Sequence, residues 1–204
     1  MACFDVLPLA RGDIPRARSS LLVGVVPFWM RPLLNSGTLG RRAMSLPRAI
    51  LDLEDRSVGD HGEPTLGAAL ELATAEWRSG NRDRELCLHL LFLTWYCNLE
   101  PPHLTGYAQA AFPSGELSEL FHEVYAAFEP QVLGDAECLY VVGLMASIAP
   151  YLLGEDEATW QARSVAFRER YRAIAPQGLS PSNFVARGAY GDYFAGQITV
   201  PNGY

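Results

Sequence analysis

The sequence contains no lysine, so all 16 of its basic side chains are arginine. Lysine codons are rich in A and T, and a chain that avoids them is typical of a GC-rich genome. We therefore expect a bacterial source. The 204-residue chain has 49% hydrophobic and 19% charged residues. It is a globular protein, because a disordered chain has too few apolar side chains to build a core.

Basic side chains are also missing from the middle of the chain. Between Arg84 and Arg163 the sequence has 11 carboxylates and, apart from histidine, no basic residue. Residues 45–137 carry 16 acidic residues and five arginines, within a net charge of −7 for the whole chain. This pattern argues against a nucleic-acid-binding face there. It favours a basic protein partner, or it serves solubility alone.

Cysteine is scarce, and no long hydrophobic run is present. None of the four cysteines has CxxC spacing. Cys87 and Cys97 would lie about 15 Å apart on one helix, too far for a disulfide. We expect free buried thiols in a reducing cytoplasm. The apolar run over residues 86–97 is shorter than the roughly 18–20 residues of a membrane span, so we expect a buried helix and no membrane contact.

Motifs for a metal, a cofactor or a nucleophile are absent as well. His89 and Cys97 lie two helical turns apart, about 12 Å along the axis, and cannot share a zinc ion. Two Glu-x-x-His strings occur, but residues 100–103 contain Pro-Pro, and Glu119 belongs to the polar side of its helix with His122 three residues on. We expect no metal and no cofactor.

What remains has helical periodicity almost throughout. Apolar stripes at spacings of three and four predict helices over residues 45–56, 64–79, 115–128, 136–149 and 155–175. They predict a further helix that is capped by Asn81 or Asp83 and runs to about Leu99. The fold class is all-α, a stack or bundle of about six helices. Asp83-x-Glu85 and Asp135-x-Glu137 each precede an apolar helix, and PHLTG at 102–106 matches PYLLG at 150–154. These matches suggest two similar helical hairpins with Pro-containing exit turns.

The first 43 residues differ from the rest. They are basic, whereas a capped helix follows from Ser45, directly after a second methionine, Met44. Two interpretations stay open: an N-terminal extension of doubtful order over 1–43, with a single helical domain over 44–204, or an apolar segment that docks on the helices.

Two places carry candidate partner-binding residues. Glu116, Glu119 and Glu123 form an acidic stripe on one helix, which we expect to be exposed and dispensable for stability. The glycine- and aromatic-rich segment near the C-terminus is expected to be an irregular tail, with GQITV as a short strand at most. The tail either packs over helix ends or binds a partner through Arg187, Tyr190, Asp192 and Tyr193.

Three function classes follow. The first is a non-enzymatic cytoplasmic protein that presents an acidic helical surface to a basic protein, such as a bacterial inhibitor or immunity-type protein. The second is an enzyme with a pocket around His103, Glu100 and Tyr107, or around the C-terminal Gly/Tyr segment, with His103 as the acid–base group. The third is a structural subunit that forms homo-oligomers. The sequence identifies neither the partner nor the oligomeric state.

Overall fold

A computed structural model describes residues 46–58, 62–108 and 115–199, and within these ranges the protein is all-α, as the periodicity predicts. Eight α-helices are formed there, and no strand is formed in the same ranges. The helices are α1 (Arg48–Arg56), α2 (Leu66–Arg78), α3 (Arg84–Leu99), α4 (Pro102–Thr105), α5 (Glu116–Val132), α6 (Ala136–Ile148), α7 (Glu157–Ile174) and α8 (Gly188–Ile198).

The amphipathic helices bury the stripes that their spacing predicts. In α7 the spacing predicts a stripe of Trp160, Phe167, Tyr171 and Ile174. The first three are buried, whereas Ile174 at the end of the helix is 45% exposed. The stripes of α2 and α5 are wholly buried: Leu66, Ala69, Leu70, Ala73 and Trp77 in α2, and Leu117, Leu120, Phe121, Val124 and Phe128 in α5.

The helices α3 and α6 are apolar on every side because other helices surround them. Residues 86–95 of α3 and 138–146 of α6 are buried without interruption. Each helix begins at an aspartate whose side chain accepts a backbone hydrogen bond: Asp83 from the amide of Glu85, and Asp135 from that of Cys138. The aspartate of each Asp-x-Glu match is therefore a helix cap.

The packing around α3 and α6 does not produce two equivalent hairpins. α3 packs against α2 on one side and α5 on another, whereas α6 packs mainly against α7 and touches α5 only slightly. The N-terminal hairpin is thus α2 with α3, and the second well-packed pair is α6 with α7. α1 packs on α2 and α8.

The matching exit turns do form corresponding structures. α3 is followed by α4, which ends at Gly106 with φ +69°, and α6 by a 3₁₀ turn over Pro150–Leu152, with Gly154 at φ +85°. A Cβ at Gly106 would lie 1.7 Å from the carbonyl oxygen of Pro64, and one at Gly154 would lie 2.3 Å from that of Ser118. Each glycine therefore lets an exit turn approach another part of the backbone.

The C-terminal segment is not an irregular tail. Residues 188–198 form α8, preceded by a 3₁₀ turn over Pro181–Phe184. Tyr190 and Phe194 lie four residues apart on its buried face, so helical packing into the core overrides the high glycine content. GQITV is not a strand over its described residues, because Gly196–Ile198 complete α8.

Some expectations fall on residues that the structure does not describe. These are the two interpretations of 1–43, Met44, and the cap expected at Ser45. Pro47 and Gly115 are the residues that precede α1 and α5. In the part of the chain that the structure describes, none of the helices combines the length and apolar character needed to cross a membrane.

Candidate functional site

The seven predicted partner-binding residues fall into two different environments. Glu116, Glu119 and Glu123 are exposed on α5, and Asp192 is exposed on α8. Tyr193 is half-buried, Arg187 is only 15% exposed along its side chain, and Tyr190 is fully buried. Tyr190 cannot contact a partner in this fold, and Arg187 is used inside the protein. Of the four C-terminal residues that the sequence suggests for partner binding, only Asp192 and Tyr193 are accessible and not used inside the protein.

The three glutamates of the acidic stripe on α5 differ in their contacts. Glu123 accepts hydrogen bonds from the Trp77 indole Nε1 at 2.8 Å and from the Arg78 guanidinium at 2.6 Å, so it joins α5 to the end of α2. Burial opposes ionisation of Glu123, but these two donors outweigh it and hold its pKa below the usual range. Glu116 and Glu119 form no ion pair within residues 46–58, 62–108 and 115–199. Both side chains are exposed to solvent.

A second group of carboxylates is partly buried where α3 and α6 begin, with side chains from 13% to 34% exposed. The Arg187 guanidinium, just before α8, donates to Glu85 Oε2 at 2.7 Å and to Glu137 Oε1 at 2.5 Å. Glu85 and Glu137 are the second members of the two Asp-x-Glu matches. The starts of α3 and α6 are therefore similar in sequence and also joined in the structure, because Arg187 bridges Glu85 and Glu137.

Further donors complete this interior cluster. Arg84 contacts Glu137 Oε2 and Asp135 Oδ2, each at 2.9 Å, and the Tyr190 hydroxyl donates to Glu137 Oε1 at 2.5 Å. Burial raises the pKa of Glu137, but the hydrogen bond from Tyr190 and the charges of Arg187 and Arg84 lower it by more, so the pKa lies below its ordinary value. Burial also raises the pKa of Tyr190 well above the ordinary value.

Glu54 and His89 form a separate buried pair beside this cluster. The two side chains are 0% and 1% exposed, and Glu54 Oε1 lies 2.7 Å from His89 Nδ1. The other oxygen, Oε2, accepts the backbone amide of Tyr190 at 3.2 Å, and the rings of His89 and Tyr190 lie 4.7 Å apart. A Cβ at Gly188 would lie 2.6 Å from this carboxylate, so only glycine permits the approach.

Most polar groups of this region are paired within the protein. Each carboxylate of the cluster is held by arginine, tyrosine or a backbone amide, and the pair of Glu54 and His89 is closed from solvent. Such partners compensate the desolvation of buried charge and cross-link α1, α3, α6 and α8. The arrangement supplies rigidity to the fold beneath any surface that binds a partner.

Three of the four cysteines lie among the described residues. Cys87, Cys97 and Cys138 are buried and free, and burial raises the pKa of Cys87 to about 11 and that of Cys97 to about 12. At neutral pH these thiols are protonated and are poor nucleophiles. Among the residues that the structure describes, no group of three or more His, Cys, Asp or Glu side chains could hold a metal ion.

The suggested acid–base group at His103 is not assembled into a pocket. A depression of about 380 Å³ is lined by Glu100, Tyr107 and Cys97, among others, whereas His103 is exposed on α4 and does not line it. His103 is the second residue of α4, which begins at Pro102 directly after Pro101.

Sequence reasoning missed Glu54 and His89 as a pair, and the convergence of Arg84, Arg187, Glu85 and Glu137. The second had a visible signal in the repeated Asp-x-Glu pattern. The first had only a histidine inside an apolar helix, with its partner 35 residues away.

Comparison with known proteins adds no relative to this picture. Neither a family model, nor a curated protein, nor a solved structure matches the chain.

Proposed function

We propose that this chain is a non-enzymatic, cytoplasmic binding protein that presents the outer face of α5 to a basic protein partner. One observation carries the proposal. Glu116 and Glu119 are exposed and have no ion pair among the described residues, whereas Glu85 and Glu137, on other helices, are neutralised by arginine. A pair of unneutralised carboxylates on one helix attracts positive charge.

The kind of partner follows from charge and geometry. Complementary charges raise the rate of association and suppress wrong partners more than they add affinity. Glu123 is held by Trp77 and Arg78, so it fixes the position of the α5 surface against α2, while Glu116 and Glu119 make the contact. Asp192 on α8 is a second acidic contact for the same class of partner.

Within this class we favour a bacterial inhibitor or immunity-type protein. Enzymes that act on nucleic acid present basic surfaces, and an acidic helical face is complementary to them. The net charge of −7 and the arginine-only composition agree with this class and with a GC-rich bacterial source.

The experiment uses the full chain to isolate its partner from the native host, and then measures association kinetics with the identified protein over a range of salt concentrations. The variant is Glu116→Gln/Glu119→Gln. The matched control is Glu157→Gln/Glu169→Gln, which removes two exposed carboxylates from α7.

The α5 variant should associate about tenfold more slowly at low salt, with a flatter salt dependence, while dissociation changes little. The α7 control should behave like the unmodified chain. Equal association rates for both variants would remove the α5 face from the interface, and an acidic or uncharged partner would overturn the proposed class.

A further inference from the structure

A pocket of about 190 Å³ opens where α1, α2, α3 and α8 meet. It lies outside the acidic face of α5 and outside the interior charged cluster. Its walls include Ser57, Leu66, Phe92, Tyr96, Ala189 and Tyr193.

The walls are built on the same three helices that hold the buried pair of Glu54 and His89. Phe92 lies three residues after His89 on α3, Ser57 three residues after Glu54, and Tyr193 three residues after Tyr190 on α8. Because residues three apart share a helix face, the pocket lies one helical turn from the buried pair. The buried hydrogen bonds fix the spacing of its walls.

Aromatic rings give the pocket its chemistry. The centroid of Phe92 lies 5.2 Å from that of Tyr96 and 5.7 Å from that of Tyr193, and the two tyrosines are 5.7 Å apart. Such distances are typical of offset and edge-to-face contacts, and a further ring can join them. No charged side chain lines the pocket among the described residues, so a charged ligand would lose hydration without compensation.

Two hydroxyls supply polarity at the walls. Neither the Tyr96 nor the Tyr193 hydroxyl is hydrogen-bonded to another group in residues 46–58, 62–108 and 115–199. Burial raises the pKa of Tyr96, and it raises that of Tyr193 to about 12, so both remain protonated at neutral pH and can donate or accept a hydrogen bond.

We propose that this pocket binds a small uncharged aromatic molecule with one hydrogen-bonding group, of the phenol class. A dry cavity of about 150 Å³ accommodates benzene. The pocket volume of about 190 Å³ therefore fits one ring with a small substituent. It lies below the range of roughly 300–1,000 Å³ that is usual for larger ligands. The ring packs against the partly exposed rings of Tyr96 and Tyr193, and its hydroxyl pairs with one of their hydroxyls.

The test is calorimetric titration of the full chain with phenol, followed by benzene and benzoate. Phenol should bind saturably at one site, with a dissociation constant below about 1 mM, as efficient contact by seven heavy atoms allows. Benzene should bind several-fold more weakly, and benzoate should not bind. Absence of saturable phenol binding, or benzoate bound as tightly as phenol, would overturn the proposal.

Two variants locate the site. Ala189→Leu fills the pocket and should weaken phenol binding at least tenfold, whereas Ala126→Leu, the same change on the exposed face of α5, should leave it unchanged. The conservative change Tyr96→Phe/Tyr193→Phe keeps the rings, and it should weaken phenol binding while leaving benzene binding intact. Unaltered phenol binding in both the filled and the hydroxyl-free variants would place the ligand elsewhere and reject this pocket.

Discussion

Glutamates in the first turns of three helices divide into two pairs with different surroundings. Glu85 and Glu137 begin α3 and α6 and are bridged by Arg187, whereas Glu116 and Glu119 begin α5 and face solvent. All four have the same local preference, because a carboxylate is favourable near the positive end of a helix. What separates the pairs is two arginines: Arg84, the residue before Glu85, and Arg187, which lies 50 residues or more along the chain from both glutamates.

The distribution of charge in space differs from the distribution along the sequence. Along the sequence, residues 45–137 have a large excess of acid. In space, part of that excess is neutralised by Arg187, which lies outside this range. The acidic character that a partner encounters is therefore concentrated on fewer carboxylates than the composition implies.

The largest effect is expected where a buried carboxylate loses its partner. Glu54→Leu and His89→Leu should each lower the free energy of unfolding by about 3–5 kcal/mol, because each leaves the other polar group buried without compensation. The double variant should lose less than the sum by about 1–3 kcal/mol. Urea unfolding of all four proteins measures this difference.

The control for that cycle is Glu71→Leu, on the exposed side of α2. This change should alter the free energy of unfolding by about 0.5 kcal/mol or less, as is usual for a surface substitution. Strict additivity of the Glu54 and His89 changes would mean that the two side chains do not act as a pair.

A smaller effect separates the two bridged glutamates. Glu137 accepts from Arg84, Arg187 and Tyr190 and its side chain is 13% exposed, whereas that of Glu85 is 34% exposed. Glu137→Gln should destabilise the fold by about 2–3 kcal/mol and Glu85→Gln by about 1 kcal/mol. Equal losses in chemical denaturation would contradict the central position of Glu137.

The substitution Glu137→Gln should also change how the stability of the fold depends on pH. The pKa of Glu137 in the folded chain lies below its ordinary value of 4.5. Its contribution to stability is therefore complete above that ordinary value and is lost as the pH falls through the lower, folded value. Unfolding measured from neutral to acidic pH should show a shallower acid-side loss for Glu137→Gln. An unchanged slope would mean that other carboxylates control the acid sensitivity.

The smallest effects on stability are expected for the three glutamates of the acidic stripe on α5, and Glu123 should differ from the other two. Glu123→Gln weakens the contacts with Trp77 and Arg78, and the ion pair with Arg78 is largely exposed to solvent. It should lower stability by about 0.5–1 kcal/mol, whereas Glu116→Gln and Glu119→Gln should each change it by about 0.5 kcal/mol or less. Thermal melts of the three single variants decide whether Glu123 is structural. If the three variants have the same melting temperature, Glu123 contributes no more to stability than Glu116 and Glu119.

The sequence predicts the fold class and most of the helices because helical periodicity is a local signal. The spacing of Leu117, Leu120, Phe121 and Val124 identifies the buried face of α5 without reference to any other helix. By contrast, Tyr190 and its neighbours looked like an irregular tail, because three glycines weaken the local preference for helix. Their packing against the other helices depends on residues far away in the chain.

The candidate surface is likewise only half predictable. Exposure of Glu116 and Glu119 follows from the polar side of one helix. The engagement of Glu123 depends on Trp77, 46 residues earlier, and the burial of Arg187 depends on two separate helix starts. Periodicity identifies which side chains face outward, but the pairing of charges across helices is fixed only by tertiary structure.

The contact between Glu54 and the amide of Tyr190 spans 136 residues, and that between Arg187 and Glu85 spans 102. A ribosome adds about 5–20 residues each second, so roughly 7–27 s pass between the synthesis of Glu54 and that of Tyr190. In the later part of this interval the growing chain has α1 and α3 but lacks α8. Completion of this charged cluster is therefore a late step in synthesis. A nascent chain stopped before residue 187 has Arg84 to join the starts of α3 and α6, but it lacks the second bridge through Arg187.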